Sequence, residues 1–166
     1  MSIVHPLKPI YNKDSIVIIL GSFPSVISRK NNFYYSNPKN RFWKILGIIF
    51  NEENLTTNEE KIDFLLNNHI ALFDVIKSCE IDGSSDSSIK NVIPNDISKL
   101  IKNSKIKYIF TNGNKAHELY QKYIFKSTKI VDIKLPSTSP ANCQKGIEKK
   151  LIEHYRKIKV ILEESN

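Results

Sequence analysis

The sequence predicts an α/β domain whose mostly parallel sheet is covered by helices on both faces, and three observations carry that prediction. Strand-like and helix-like segments alternate to the end of the chain, the pattern of a layered α/β fold. The clearest strands are continuous apolar runs rather than alternating ones, as expected where both faces of a sheet are buried. The 166 residues, 40% hydrophobic and 25% charged, suit one domain with a real core and exclude disordered and fibrous classes.

The elements follow in chain order. Ile16 to Leu20 is an apolar run closed by Gly21, Ser22, Phe23, Pro24 and Ser25, a buried strand entering a loop. Val26 to Lys39 is polar and aromatic without periodicity and reads as a long loop, a length that implies a role beyond connection. Phe42, Trp43, Leu46, Ile49 and Phe50 then fall at helical spacing. Asn58, Glu59 and Glu60 open a second helix with acid in its first turn, ending near Asn68. Ala71 to Ile76 is a short apolar element, and Asp82 to Ser88 is a turn-rich loop. A short helix over Pro94 to Asn103, a strand over Ile106 to Phe110, a helix through Tyr123 and a strand over Ile130 to Leu135 come next. The last helix spans about Gly146 to Glu164, with Ile147, Leu151, Tyr155, Ile158 and Leu162 on one stripe.

The formal net charge of +8 favours an anionic partner such as nucleic acid. Only three of the 25 basic residues are arginine (Arg29, Arg41, Arg156), and with abundant Ile and Asn this equally fits the amino-acid bias of an AT-rich genome. Cys79 and Cys143 stand alone, which leaves no four-thiolate cluster and no zinc ribbon. No leader pattern and no spanning apolar run is present, so a reducing cytoplasm is the expected compartment.

Three loops follow the strand ends: Gly21 to Asn40, Thr111 to Asn114, and Leu135 to Asn142. In an open parallel sheet such loops meet at one edge and form one cleft. The first sets Phe23, Phe33, Tyr34 and Tyr35 beside Asn31, Asn32, Asn37 and Asn40, where rings can stack a nucleobase and amides can read its edge or hold a water. Phe23 and Tyr34 read equally as core, and Asn37-Pro38 as a plain turn. Gly113 and Asn114 open a helix whose amides favour an anion. The third loop offers hydroxyls and amides of the kind that contact phosphate. No G-x-S-x-G elbow surrounds Ser22, and His5, His69, His117 and His154 lie outside the loops, mostly as surface or helix residues, which speaks against a Ser-His-Asp hydrolase. Asp74 and Asp86 are the acids to watch. Asp74 interrupts an apolar run, and a carboxylate there is either capped by local amides or functional.

The segments Gly21-Ser-Phe-Pro-Ser, Tyr34-Tyr35-Ser-Asn-Pro-Lys-Asn40-Arg-Phe-Trp43, Asp74-Val-Ile-Lys-Ser-Cys79, Gly83-Ser-Ser-Asp86 and Leu135-Pro-Ser-Thr-Ser-Pro-Ala-Asn142 occur in that order. Together they resemble the DNA-deoxyinosine (hypoxanthine-DNA) glycosylases of the uracil-DNA glycosylase superfamily, over nearly the whole chain. The resemblance implies one glycosylase domain over residues 1–166, a three-layer α/β/α sandwich around a short, mainly parallel four-stranded sheet, and no metal or cofactor. It also implies a monomer acting on DNA that carries deaminated bases, and an abasic-site product.

By the same resemblance Asn40, immediately before Phe-Trp, takes the catalytic role, and Tyr35 stacks on the extruded base. Phe23 stands where the mismatch-specific uracil glycosylases carry a water-holding Asn. The implied base-contacting set is Gly21, Ser22, Phe23, Tyr35, Asn37 and Asp74. The DNA-contacting set is Ser25, Lys39, Gly113, Asn114, Ser137, Thr138, Ser139, Pro140 and Asn142; the resemblance implies the Ser137–Asn142 loop, and proximity to the three loops in sequence adds Lys39, Arg41, Lys115 and Lys145 as phosphate contacts. The chain departs from the family at Asn37, usually His, and at Lys39, usually Arg, so two amides flank Pro38. Two other readings belong to the same fold: a uracil- or mismatch-specific glycosylase, against which Phe23 argues, and a non-catalytic lesion-binding domain, against which Asn40 argues.

Overall fold

The structure is a computed structural model and describes residues 1–165. Four strands form a parallel sheet: β2 (Val17–Gly21), β3 (Ile70–Asp74), β6 (Tyr108–Asn112) and β7 (Ile133–Leu135), in the order β3-β2-β6-β7. Every residue of β2 and β3 is buried, which explains their unbroken apolar sequence. The observed β2 lies one residue later than the apolar run suggests. Gly21 is therefore a strand residue, paired in register with Asp74.

The helices are α1 (Val26–Asn31), α2 (Phe42–Ile49), α3 (Asn58–Asn67), α4 (Ile97–Lys102), α5 (Asn114–Tyr123), α6 (Phe125–Thr128) and α7 (Ile147–Glu164). They flank the sheet, with α3 against β3, α5 against β6, and α2 packed on α7. The α7 stripe of Ile147, Leu151, Tyr155, Ile158 and Leu162 is buried as its spacing requires. Helix α3 opens on a capping box in which Thr57 Oγ1 accepts from the Glu60 N–H and Glu60 Oε1 accepts from the Thr57 N–H.

Strand β6 is shifted two residues from the expected Ile106 to Phe110, so Thr111 and Asn112 belong to the strand and not to the loop, and β7 begins three residues later than the expected Ile130. Two larger parts also differ from the sequence expectation. The segment read as a loop from Val26 onward begins with helix α1, capped by Ser25 Oγ on the Ser28 N–H and stopped by Asn32 in the left-handed region. Six residues give too few positions for a helical period to show. The second difference is a small antiparallel sheet, β1-β4-β5, formed by β1 (Ile3–Val4), β4 (Ile76–Glu80) and β5 (Lys90–Pro94). After Asp74 the chain leaves the parallel sheet and runs at once into β4, which pairs with β1 at Ile3–Cys79 and Val4–Ser78. This ladder brings the N-terminal segment back to the end of β3. Among the described residues no helix is long and apolar enough to cross a membrane.

Candidate active site

The parallel register sets four residues side by side along one rim: Asp74 beside Gly21 at the ends of β3 and β2, and Asn112 beside Leu135 at the ends of β6 and β7. Above this rim lies a cavity of about 180 Å³. Its lining takes Gly21, Ser22, Phe23, Tyr35, Asn37, Asn40 and Asp74 from the sequence-derived base-contacting and catalytic sets, and Ser25, Ser137, Thr138, Ser139 and Pro140 from the DNA set. It also takes Asn112 and the segment containing Ile81, Ser84 and Asp86.

Gly21 is the centre of the floor. A Cβ on it would stand 2.4 Å from Asp74 Oδ1 and 2.8 Å from Tyr35 Oη, so the two oxygens converge on space that only a glycine leaves free. Tyr35 adopts φ 50°, uncommon for a large side chain, and this swings its ring away from that of Tyr34 and onto Phe42, with centroids 4.1 Å apart. Tyr34 instead belongs to the core, where its hydroxyl donates to the Lys8 carbonyl at 2.7 Å and the Tyr34 carbonyl accepts from Trp43 Nε1 at 2.9 Å. Tyr35 Oη is buried and makes no hydrogen bond of normal geometry among the described residues; the nearby Asn112 amide, close enough to offset a little of the rise that burial gives its pKa, is bonded through both its atoms to Thr138. Leaving such a group unmade costs about 1–3 kcal/mol, which a ligand reaching the floor can recover. Burial, and after it the charge of Asp74, pushes both tyrosine hydroxyls far above their ordinary pKa and keeps them neutral donors.

Asp74 is 3% exposed. Its Oδ2 accepts a 2.7 Å bond from Nε2 of His5, while among the described residues no donor reaches its Oδ1. Of the two readings of this acid, local amide capping fails, since its carboxylate partner is an imidazole 69 positions away. His5 corrects the expectation of surface and helix histidines. Its side chain is 2% exposed, set among the rings of Phe23, Tyr34 and Phe73.

The two amides flanking Pro38 are built alike. Asn40 Oδ1 accepts from the Phe42 N–H at 2.9 Å, and Asn37 Oδ1 accepts from the Lys39 N–H at 3.0 Å. Each carbonyl oxygen retains a second lone pair. Their anchoring differs. Asn40 is held between its bond to the start of α2 and the neighbouring Arg41, which caps that helix and whose N–H donates to the Thr138 carbonyl at 3.1 Å, whereas Pro38 and Lys39 beside Asn37 are exposed.

Two members of the DNA-contacting set are corrected by their burial. Thr138 is fully buried, its N–H donating to Asn112 Oδ1 at 3.1 Å and its Oγ1 accepting from Asn112 Nδ2 at 3.0 Å, so it clips the third loop to the rim instead of reaching a phosphate. Gly113 is buried too, at φ 95°; its N–H is spent on the Leu135 carbonyl, and a Cβ there would lie 3.0 Å from that of Ser137. Gly113 is thus the gap into which the loop fits. Asn114 and Lys39 are exposed and Asn142 half-buried. Arg41 spends Nη1 on the carbonyls of Ser139 and Asn142, ordering the same loop. Beyond Asn112 and Asn114 a shallower groove carries Lys115, Lys134 and Lys150 away from the cavity.

The far wall is pinned by Arg29, which donates to the carbonyls of Pro24 and Gly83 and lies over the Phe23 ring, and by Ser22 Oγ donating to Asp86 Oδ1 at 3.3 Å. The Asp86 residue is exposed at the rim, but partial desolvation of its inward-turned carboxyl raises its pKa above the ordinary range, with Ser22 and then Lys115 pulling it back. Among the described residues no three His, Cys, Asp or Glu side chains are grouped to hold a metal ion. The site consists of amides, hydroxyls, aromatic rings and the carboxylates of Asp74 and Asp86, each with one oxygen that no donor among the described residues reaches.

Asn112, His5, Ile81 and Ser84 were not singled out as contacts from sequence, while Asp86 was marked only as an acid to watch. Asn112 carries a signal, as an amide in one of the three loops expected at the strand ends, while His5 carries none because only the β1–β4 ladder brings it to Asp74.

A family model described as the Uracil DNA glycosylase superfamily matches residues 9–159. A protein of Methanosarcina acetivorans named Hypoxanthine DNA glycosylase is 37% identical over 138 residues, 80% of this chain and 84% of that protein. A protein of the same name from Methanosarcina barkeri is 33% identical over 112 residues, 66% of this chain and 71% of that one. Among solved structures, a solution NMR structure from Methanosarcina acetivorans, provisionally described as a uracil DNA glycosylase, superposes with a TM-score of 0.79 at 32% identity, covering 96% of this chain and 99% of that one.

Proposed function

The chain belongs to the uracil DNA glycosylase superfamily and is a DNA glycosylase, and from that premise we propose that it hydrolyses the N-glycosidic bond of deoxyinosine in DNA, releasing hypoxanthine and leaving an abasic site. The observation that carries this reading is the meeting, over the bare Cα of Gly21, of an unbonded Asp74 carboxylate oxygen and an unpartnered Tyr35 hydroxyl, with the Asn40 amide lining the same cavity. The Methanosarcina relatives named for hypoxanthine support the choice of base.

The target bond is inaccessible in a stacked duplex, so the nucleotide is extruded at a cost of a few kcal/mol, less at a weakened pair. The base enters the cavity against the Tyr35 ring. The C1′–N9 bond breaks, its electron pair goes to the purine, and positive charge builds on the sugar. Neighbouring phosphates of the DNA stabilise that charge. A water accepted on the second lone pair of Asn40 Oδ1 adds its oxygen to C1′, and its proton leaves to the departing base. No covalent enzyme intermediate is required, in keeping with a cavity that presents no activated nucleophile. The Ser137–Pro140 loop and the exposed lysines hold the strand, and the protein acts as a monomer in the cytoplasm.

Duplexes carrying inosine, xanthine or uracil, incubated with the protein and then with alkali, test this reading. Strand scission fastest at inosine is expected. Scission fastest at uracil would assign the uracil-specific alternative in spite of Phe23, and none at stoichiometric protein would leave only lesion binding.

A further inference from the structure

We propose that His5 is a positioning residue that determines base specificity: it occupies Oδ2 of Asp74 and so presents Oδ1 to the cavity as a fixed acceptor for the N1–H of a deaminated purine. The proposal rests on the reading of this cavity as the base pocket. Asp74 lies where the chain passes from β3 to β4, and a carboxylate attached there has two oxygens and a free χ2 rotation. Only the 2.7 Å bond from His5 distinguishes the two oxygens. The imidazole is itself held from every side. Phe23, Tyr34 and Phe73 surround the ring, its backbone N–H donates to the Lys77 carbonyl at 2.8 Å, and the Leu7 N–H lies 3.1 Å from Nδ1. An N–H pointing at Nδ1 makes that nitrogen the acceptor of a neutral ring and puts the ring proton on Nε2, facing Asp74. The Leu7 carbonyl, 3.0 Å from the same nitrogen, satisfies it equally well when the ring is doubly protonated. The donor to Oδ2 is therefore present in both states of the ring.

The consequence for specificity follows from the chemistry of deamination. Adenine offers a lone pair at N1, and hypoxanthine offers an N–H there beside a carbonyl. A carboxylate oxygen only accepts, so Oδ1 bonds the N1–H of hypoxanthine and repels the N1 lone pair of adenine. Without His5 nothing holds Oδ2, the carboxylate is free to turn about χ2, and no fixed acceptor faces the cavity.

The test uses the full chain with His5→Phe and His5→Gln. Single-turnover excision is measured from duplexes containing deoxyinosine or deoxynebularine, the same purine ring without N1–H or carbonyl, and thermal midpoints are recorded alongside. The wild type is expected to prefer inosine, and His5→Phe to lose about 10- to 100-fold of that preference, the cost of one hydrogen bond to a charged group. His5→Gln, which keeps an N–H for Oδ2, is expected to restore most of it. If His5→Phe does not fold, His5→Asn, polar but too short to reach Oδ2, is expected to show the same loss of preference. An unchanged inosine-to-nebularine ratio in a folded His5→Phe or His5→Asn variant would overturn the proposal, whatever the fall in thermal midpoint. Absence of inosine excision by the wild type would instead overturn the deoxyinosine reading beneath it.

Discussion

Gly21→Ala places one methyl group where the account puts the base. The added Cβ stands 2.4 Å from Asp74 Oδ1 and 2.8 Å from Tyr35 Oη, both well inside van der Waals contact. Little can yield. The Gly21 carbonyl accepts from the Val75 N–H at 2.8 Å, Asp74 is tied to His5, and Tyr35 is stacked on Phe42. Overpacking of this kind costs about 2 kcal/mol, or about 4–8 °C of thermal midpoint for a chain of this size. The effect on excision is larger than that loss implies, because moving a reacting constellation by about 1 Å costs about 10²-fold in rate. Gly146→Ala is the control. That glycine has φ 75°, open space around its Cα and no place in the cavity lining, so alanine there costs about 1–2 kcal/mol of backbone strain without adding an atom over Gly21, and excision at saturating protein stays within a few-fold of wild type. Single-turnover excision from an inosine duplex and thermal melting of both variants make the comparison. Inosine excision by Gly21→Ala within a few-fold of wild type would refute the placement of the base over Gly21.

Three further outcomes are expected. Asp86→Asn raises the thermal midpoint at neutral pH: the Asp86 carboxyl titrates higher in the folded chain than in the unfolded one, so stability falls as pH rises from the ordinary aspartate range through the folded value, and the advantage of Asn shrinks toward zero as pH falls back to that range. A midpoint difference that does not change with pH would contradict this. Thr111→Val removes one of the three side-chain donors to buried Asp132, the others being His117 and Gln121, and lowers stability by about 1–3 kcal/mol in denaturant titration, while Thr111→Ser retains it. Affinity for an abasic-site duplex falls with salt, with a log–log slope of about −3 if Lys39, Lys115 and Lys145 each neutralise one phosphate; a slope near zero would remove these lysines from the interface.

What could be read in the sequence was what lies close together along it. The apolar runs Ile16 to Leu20 and Ile106 to Phe110 mark strands because a doubly buried strand has no polar alternation. Ala71 to Ile76 shows only as a short apolar element that in fact holds the end of β3 and the start of β4, and the Tyr35 to Asn40 segment reaches the cavity as a single turn before α2. Features made by distant pairing stayed hidden. His5 meets Asp74 only because two residues of β1 join a ladder with β4, and β5, whose sequence is Lys-Asn-Val-Ile-Pro, is too polar and too exposed to look like a strand. Thr138 and Gly113 looked like phosphate ligands because hydroxyls and glycines at helix starts often are. The Asn112–Thr138 pair of bonds and the Gly113 bond to Leu135 show instead that these residues hold the loop in place.

The most direct test of the central claim is single-turnover excision from an inosine duplex by wild type, Asn40→Ala and Asn37→Ala at saturating protein. The account predicts that Asn40→Ala keeps its fold and DNA affinity but slows the chemical step by about 10²- to 10³-fold, the cost of removing one preorganised polar group. Asn37→Ala, whose amide sits on the exposed turn before Pro38, is expected to lose far less. A larger loss from Asn37→Ala than from Asn40→Ala would move the water to the other amide and contradict the mechanism.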